Sequence, residues 1–437
     1  MRQPRRGQPP RDDGRKRGAR PVRVAVVTAI TLVALLAAAV AGFSVSRVRA
    51  GPPEFGALWS IPIHSVPTAH ATGAWMVDGT VVRGRSGGFV AHNSRDGTLA
   101  WRVPVPGNDT TMCTMSRTTR HGIGTATYGT DGRCHHVMAV DVTSGKRLWH
   151  HRFTRKRNPA TTTFTPVVVG PEVIVQGEGF VSGFREKGRR WTMHPRCPVK
   201  DVAADGQRLL VVTGCSDGTL TLRSADPATG KAHTLNTLPA PGFATASILH
   251  TRPTVIAVET TDLTLLSLTD SGMIRARIPY ERVLGEAHLG VRTSGRPLPV
   301  IVNGGILAAT AQPDDAAQEF AAFDLATGKQ LWSWTLLEGA SAIFVRDLDE
   351  GAIFAFSSGA GDTPPLLLRF SPAAGIMAVE ATYPDPLHVL TAGASSFATQ
   401  HRIIVVSEKG FVPPGGAGSV RGVVALERPP RPEKHRG

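Results

Sequence analysis

From residue 55 onward the chain is built of short apolar runs separated by tight turns. Val202-Ala203 faces Leu209 to Val212 across Asp205-Gly206. Comparable breaks fall at Asp78-Gly79, His121-Gly122, Gly170-Pro171, Arg252-Pro253, Asn303-Gly304, Glu350-Gly351 and Gln400-His401. Short apolar runs bounded by such pairs read as β-hairpins, because Gly, Asn and Asp tolerate the backbone angles that a two-residue turn demands. About eight of them recur at the spacing of four-stranded β-repeats.

A second turn series runs in step with the first. Its fullest copies are Ala139-Val-Asp141-Val-Thr-Ser144-Gly145-Lys-Arg-Leu-Trp149 and Ala322-Phe-Asp324-Leu-Ala-Thr327-Gly328-Lys-Gln-Leu-Trp332. Weaker copies lead to Trp101 from Asp96-Gly97, to Trp191 from Gly188 with one residue deleted, and to Thr234 from Asp226-Pro-Ala-Thr229-Gly230. Ser271-Gly272 and Ser371 to Gly375 keep the turn and lose the indole. Each copy follows a β-rich run, such as Val137 to Val140, Phe320 to Phe323 or Leu366 to Phe370, and so joins the third and fourth strands of a unit.

The chemistry of the phrase is local. The oxygen of Asp141 or Asp324 accepts from backbone N–H groups two or three residues on, and Gly145 or Gly328 supplies a positive φ. Trp59, Trp101, Trp149, Trp191 and Trp332 then bury their rings against the neighbouring unit, with the indole N–H free to find a carbonyl. Trp75 and Trp334 fall outside this register. Trp75, on a first strand, is the better placed of the two to meet a ligand.

A phrase returning every roughly 42 to 57 residues marks stacked β-repeats, and this one predicts an eight-bladed propeller of four-stranded antiparallel blades over residues 55–427. The run Val420 to Leu426 supplies a third strand with no fourth after it, while Ala57-Leu58-Trp59 carries the motif's ending with no hairpin before it. The expectation is that the N-terminal strand completes the last blade and latches the ring. Radial repeats add core blade by blade, so one folded domain suffices. Residues 428–437 read as a disordered tail.

Residues 1–50 are different material. Arg2, Arg5, Arg6, Arg11, Arg15, Lys16, Arg17, Arg20 and Arg23, opposed by Asp12 and Asp13, form a basic arm over 1–23. The uncharged run 24–46 follows, and about 23 apolar residues can span a bilayer core of roughly 30 Å. The reading is a cytoplasmic arm, a transmembrane signal anchor and a linker over 47–54, with the propeller outside the cell membrane. A cleaved signal peptide ending at Ala39-Val40-Ala41 is the alternative, giving a secreted domain. The formal net charge of +15 sits largely in the two termini, where topology, lipid headgroups and solvation account for it. Nucleic acid is not an expected partner.

The four cysteines fit an oxidising compartment. Cys197 and Cys215 flank Asp205-Gly206, and Cys113 and Cys134 bracket His121-Gly122, so two cross-strand disulfides at matching places are expected. Each closes a loop of about 20 residues, worth roughly 3 kcal/mol in the chain-entropy model. Cys-x-x-Cys pairs and zinc-finger spacings are absent.

The phrase Ala-x-Asp-x-x-Thr-Gly-x-x-x-Trp resembles the repeat of the pyrroloquinoline-quinone-type propellers. These include quinoprotein alcohol and glucose dehydrogenases, the lipoprotein scaffold of outer-membrane β-barrel assembly and other exported proteins. In the dehydrogenases the resemblance implies a quinone gripped between a Trp and a ring of two adjacent cysteines, beside a Ca²⁺ held by Glu and Asn and an Asp base. This chain has no adjacent cysteine pair, and none of those residues can be carried over.

No catalytic residue, metal ligand or cofactor is therefore assigned. Asp347-Leu-Asp349-Glu350 has too few oxygens for a Ca²⁺ loop and falls on a turn. His135-His136 and His150-His151 are expected to point to opposite faces of a strand. Gly179 to Gly183 places Ser182 one position late for a nucleophile elbow. The expected function is a membrane-anchored extracytoplasmic scaffold that binds a protein or cell-envelope partner at the propeller faces, without catalysis. The alternative is a quinone-dependent dehydrogenase of an alcohol or sugar.

Overall fold

The computed structural model describes residues 52–62, 71–130, 133–153, 165–177, 179–206, 208–240, 245–260, 263–279, 300–311, 319–336, 342–346, 351–357, 363–383, 395–399, 401–411 and 421–428. The basic arm, the 24–46 run, the tail from 429, the segment 280–299 and Asp347 to Glu350 lie outside the described residues.

Every regular element among the described residues is a β-strand. The strands form antiparallel meanders of four, each strand paired with the next in sequence. The first sheet covers residues 71–104, the second 110–152, the third 166–193, the fourth 199–239, the fifth 245–279 and the sixth 300–335. The seventh meander, 342–382, is joined to an eighth set of strands by a parallel pairing of Val345 with Ser396 and Arg346 with Phe397. That eighth set consists of Ser395–Ala398, Arg402–Phe411, Arg421–Glu427 and, as its outermost member, the N-terminal strand Ala57–Pro62. Trp59 pairs with Ala425 and Ser60 with Val424.

The burial pattern explains why the sequence signal is a run rather than an alternation. Second strands are covered on both faces by neighbouring sheets, so Val173 to Val175 and Leu209 to Val212 are buried throughout, and a strand covered on both sides reads as continuous apolar sequence. Fourth strands form the outer edge and are mostly exposed, as in Leu99–Pro104.

The core is divided into clusters, each shared by two sheets. Val82, Phe89, Met112 and Tyr128 join the first to the second. Val137, Ala139, Val173 and Phe184 join the second to the third. Ala74 and Val81 of the first sheet share a cluster with Ile404, Val406 and Val423 of the last strands.

Among the described residues the first turn series is where the sequence puts it in four sheets and is shifted by one residue in two. In the fourth sheet Asp205 ends its strand paired with Arg208, so that turn begins at Gly206. Asp78-Gly79 and His121-Gly122 have positive φ at both residues, as a two-residue hairpin turn requires. In the sixth sheet the turn is Gly304-Gly305 rather than Asn303-Gly304, since glycines supply both positive φ values there. Asn303 instead ends the first strand.

Both cysteine pairs are disulfides, Cys113 with Cys134 and Cys197 with Cys215. Their placement differs from the expectation of matching sites. Cys197 and Cys215 flank the first two strands of the fourth sheet. Cys113 sits at a bulge in the first strand of the second sheet and Cys134 lies on the third strand, so this bond reaches past the strand between them. Gly129 on that middle strand pairs with Cys134, and a Cβ there would strike the Arg133 carbonyl.

Candidate functional site

The second turn series forms the joints between sheets. In the second sheet Asp141 Oδ1 accepts from the Thr143 N–H at 2.9 Å, the Thr143 hydroxyl at 2.6 Å and the Ser144 N–H at 3.1 Å, and the Gly145 N–H donates to the Asp141 carbonyl at 2.8 Å. Asp324 repeats the pattern with Ala326, Thr327 and Gly328. Bonds to the ionised form lower a carboxyl's pKa. The Thr143 hydroxyl, then the Ser144 N–H, holds Asp141 at about 2. Asp226 and Asp324 are lowered by the N–H and hydroxyl of Thr229 and Thr327.

Four of the five motif indoles cross to the next turn. The Trp59 ring covers Gly97 and its N–H donates to the Ser94 carbonyl at 3.2 Å. Trp191 covers Gly230 and donates to Pro227 at 2.8 Å, and Trp332 covers Gly375 and donates to Pro372 at 2.7 Å. Trp101 lies over Gly145. Because the indole occupies the space of a Cβ, glycine is required there for closeness as well as for φ.

Trp149 departs from this scheme for a local reason. The third sheet's turn is two residues shorter, since Gly183 pairs with Trp191 where Ala139 pairs with Trp149, and a Cβ at Gly188 would meet nothing within 4 Å. His151, two residues beyond Trp149, spans the joint instead: its Nε2 lies 3.0 Å from the carbonyls of both Arg185 and Glu186. At the fourth-to-fifth joint, where the indole is absent, the Asn236 amide donates to the Gly272 carbonyl at 2.6 Å. Trp334, which the sequence places out of register, donates to the Gly375 carbonyl at 2.7 Å and so doubles the sixth-to-seventh joint.

First strands of several sheets surround a cavity of about 540 Å³, lined among others by Trp75, Arg117, Arg120, His250, Ile301 and Phe397. Trp75 is 2% exposed, and its N–H donates to the Ser116 carbonyl at 2.6 Å. It therefore fastens the first sheet to the second on the inner side. Asp201 is buried behind the lining: Oδ2 accepts from the Ile248 N–H at 2.7 Å and lies 4.0 Å from Arg117 Nη1. The lining thus offers apolar surface, threonine hydroxyls and two guanidinium groups.

That lining does not fit a quinone with Ca²⁺. Its described residues present no carboxylate and no asparagine to a cation, and hard cations need several oxygen ligands. All four cysteines are committed to the two disulfides. Among the described residues no group of three or more His, Cys, Asp or Glu side chains could hold a metal ion. His135 and His136 do not point to opposite faces as expected. The irregularity opposite Tyr128 and Gly129 brings their rings to 4.4 Å. Ser182 is buried and hydrogen-bonded to Thr192 at 2.9 Å.

A protein-family model described as outer membrane protein assembly factor BamB matches residues 44–196. No curated protein matches the sequence. Among solved structures the chain resembles BamB from Moraxella catarrhalis, with 12% identity, TM-score 0.50, and coverage of 86% of this chain and 99% of that one. It also resembles the quinohemoprotein alcohol dehydrogenase from Comamonas testosteroni, with 12% identity, TM-score 0.52, and coverage of 87% and 78%. A europium-containing methanol dehydrogenase gives 11% identity, TM-score 0.52, and coverage of 85% and 93%. At these identities the structural likeness speaks to fold alone. The repeat-family resemblance read from the turn phrase agrees with both comparisons.

Proposed function

We propose, from the premise that this chain is a β-propeller of the pyrroloquinoline-quinone-type repeat family, that it is an extracytoplasmic binding scaffold held to the cell membrane by residues 24–46. In this reading the sheets close as a ring of eight four-stranded blades around the cavity, and a protein or cell-envelope partner docks at the channel mouth. The N-terminus lies in the cytoplasm. The observation that carries the reading is the cavity wall, where Trp75, Arg117, Arg120 and His250 are brought together from the first, second and fifth sheets. A concave site with an apolar wall and a few converging polar groups is how rigid scaffolds present a binding surface. The family match to an assembly factor supports a protein partner.

Affinity capture from detergent-solubilised membranes tests it, using the full chain and an Arg120→Glu variant. The expected result is a reproducible partner whose recovery falls at least tenfold with the variant while its thermal midpoint is unchanged. Recovery of no reproducible partner, together with turnover of an alcohol or sugar, would overturn the proposal. The dehydrogenase reading predicts a saturable absorbance change when pyrroloquinoline quinone and Ca²⁺ are added. The scaffold reading predicts none, given the donor set of the lining.

A further inference from the structure

Within the cavity wall the second sheet carries an insertion. The Ser116 N–H donates to the Thr125 carbonyl at 2.9 Å and Arg120 pairs with Ile123, so Arg117, Thr118 and Thr119 together stand opposite Gly124. Among the described residues the first strands of the other sheets gain one residue at most on their partners. Trp75 braces this bulge at its base: its N–H holds the Ser116 carbonyl, and its ring occupies the space of a Cβ at Gly124. Bulges re-aim side chains, and this one puts Arg117, Thr118, Thr119 and Arg120 on the cavity lining.

The donors gathered there outnumber the acceptors. Arg117 faces Asp201, whose Oδ2 lies 4.0 Å from its Nη1 and whose two oxygens also accept the N–H groups of Val202 and Ile248. Arg120 is exposed, and among the described residues its guanidinium has neither an ion pair nor a hydrogen bond. The hydroxyl and N–H groups of Thr118 and Thr119 likewise have no partner among the described residues, and the Ser116 hydroxyl is buried with none. His250 spends its Nδ1 on the Pro253 carbonyl at 2.9 Å. Val202, Ile248, Ile301 and Phe397 supply an apolar wall on the same lining. With Arg117 offset by Asp201, one guanidinium charge is left to balance. A carboxylate does so and fits the guanidinium fork, whereas a phosphate dianion would bring a second, unpaired charge beside apolar surface.

On the premise that a protein docks at this cavity, we propose that the bulge over residues 117–120 binds a single carboxylate of that partner, an aspartate or glutamate side chain set between apolar residues. Arg120 is its ion-pair partner, and Thr118 and Thr119 donate hydrogen bonds to it.

The experiment probes the full chain in neutral detergent against an array of pentapeptides, acetylated and amidated so that their ends carry no charge. The outer four positions vary among Val, Leu, Ile and Phe, and the centre is Glu, Gln or phosphoserine. The best-bound Glu peptides are expected to exceed their Gln and phosphoserine counterparts by at least about tenfold, since a site built for a charged acceptor rejects its neutral isostere. Arg120→Gln is expected to abolish the preference for Glu over Gln, and Thr118→Val/Thr119→Val to weaken Glu peptides at least about threefold. Arg275→Gln, an exposed position on the outer strand of the fifth sheet, should keep the preference. Equal binding of Glu and Gln peptides would overturn the carboxylate site while leaving the cavity a peptide-docking surface. Preference for phosphoserine, or equal loss in the Arg120 and Arg275 variants, would overturn it as well. Binding of no peptide would count against protein docking at the cavity itself, and the carboxylate site would fall with it.

Discussion

A motif residue here serves two masters, its own turn and the neighbouring sheet. Gly230 has φ +72 and a Trp191 ring where its Cβ would sit. Gly230→Ala is therefore expected to destabilise the protein more than the roughly 1 kcal/mol of an ordinary positive-φ replacement, while Gly122→Ala, at the same φ of +72 and facing open space, costs about that much. Urea unfolding of the two variants decides it, and equal losses would mean that the indole packing contributes nothing. Asp141 supplies a pH test. Its folded pKa of about 2 lies below the ordinary 3.8, so the stabilisation is complete above the unfolded value and is lost as pH falls from about 4 towards 2. The thermal midpoint of Asp141→Asn should start lower at neutral pH and fall less steeply through that window. A parallel acid profile would contradict the assignment. The Asp, Gly and Trp roles were legible because each is set within a few residues. The substitution of His151 for Trp149 was not, because it depends on the length of a turn in the next sheet.

At the scale of strands and sheets, the disulfides show the same limit. Pairing partners followed from spacing, yet spacing alone could not show that Cys113 sits at a bulge and reaches the third strand. Bulges displace side chains from strict alternation, which is also why His135 and His136 approach each other. Replacing Cys113 and Cys134 by Ser should cost about 3 kcal/mol for a loop of this length. The loss should appear as faster hydrogen exchange in residues 110–115 and 133–141, with the 166–193 sheet little changed. Exchange that rises uniformly over all sheets would show that the bond stabilises no particular element.

For the whole molecule, the four-stranded antiparallel sheets were readable because most units carry two turn signals. The cavity was not, because its wall gathers residues as far apart as Trp75 and Ile301 with no shared phrase. The organising feature is the pairing of Ala57–Pro62 with Arg421–Glu427, through which chain ends far apart in sequence complete one sheet. Hydrogen exchange of residues 421–427, compared between the full chain and a chain lacking residues 57–62, tests this most directly. The account predicts that protection there falls at least a hundredfold on deletion, and that a synthetic peptide of residues 52–62 restores it. Unchanged protection in the shortened chain would contradict the closure of the last sheet by the first strand.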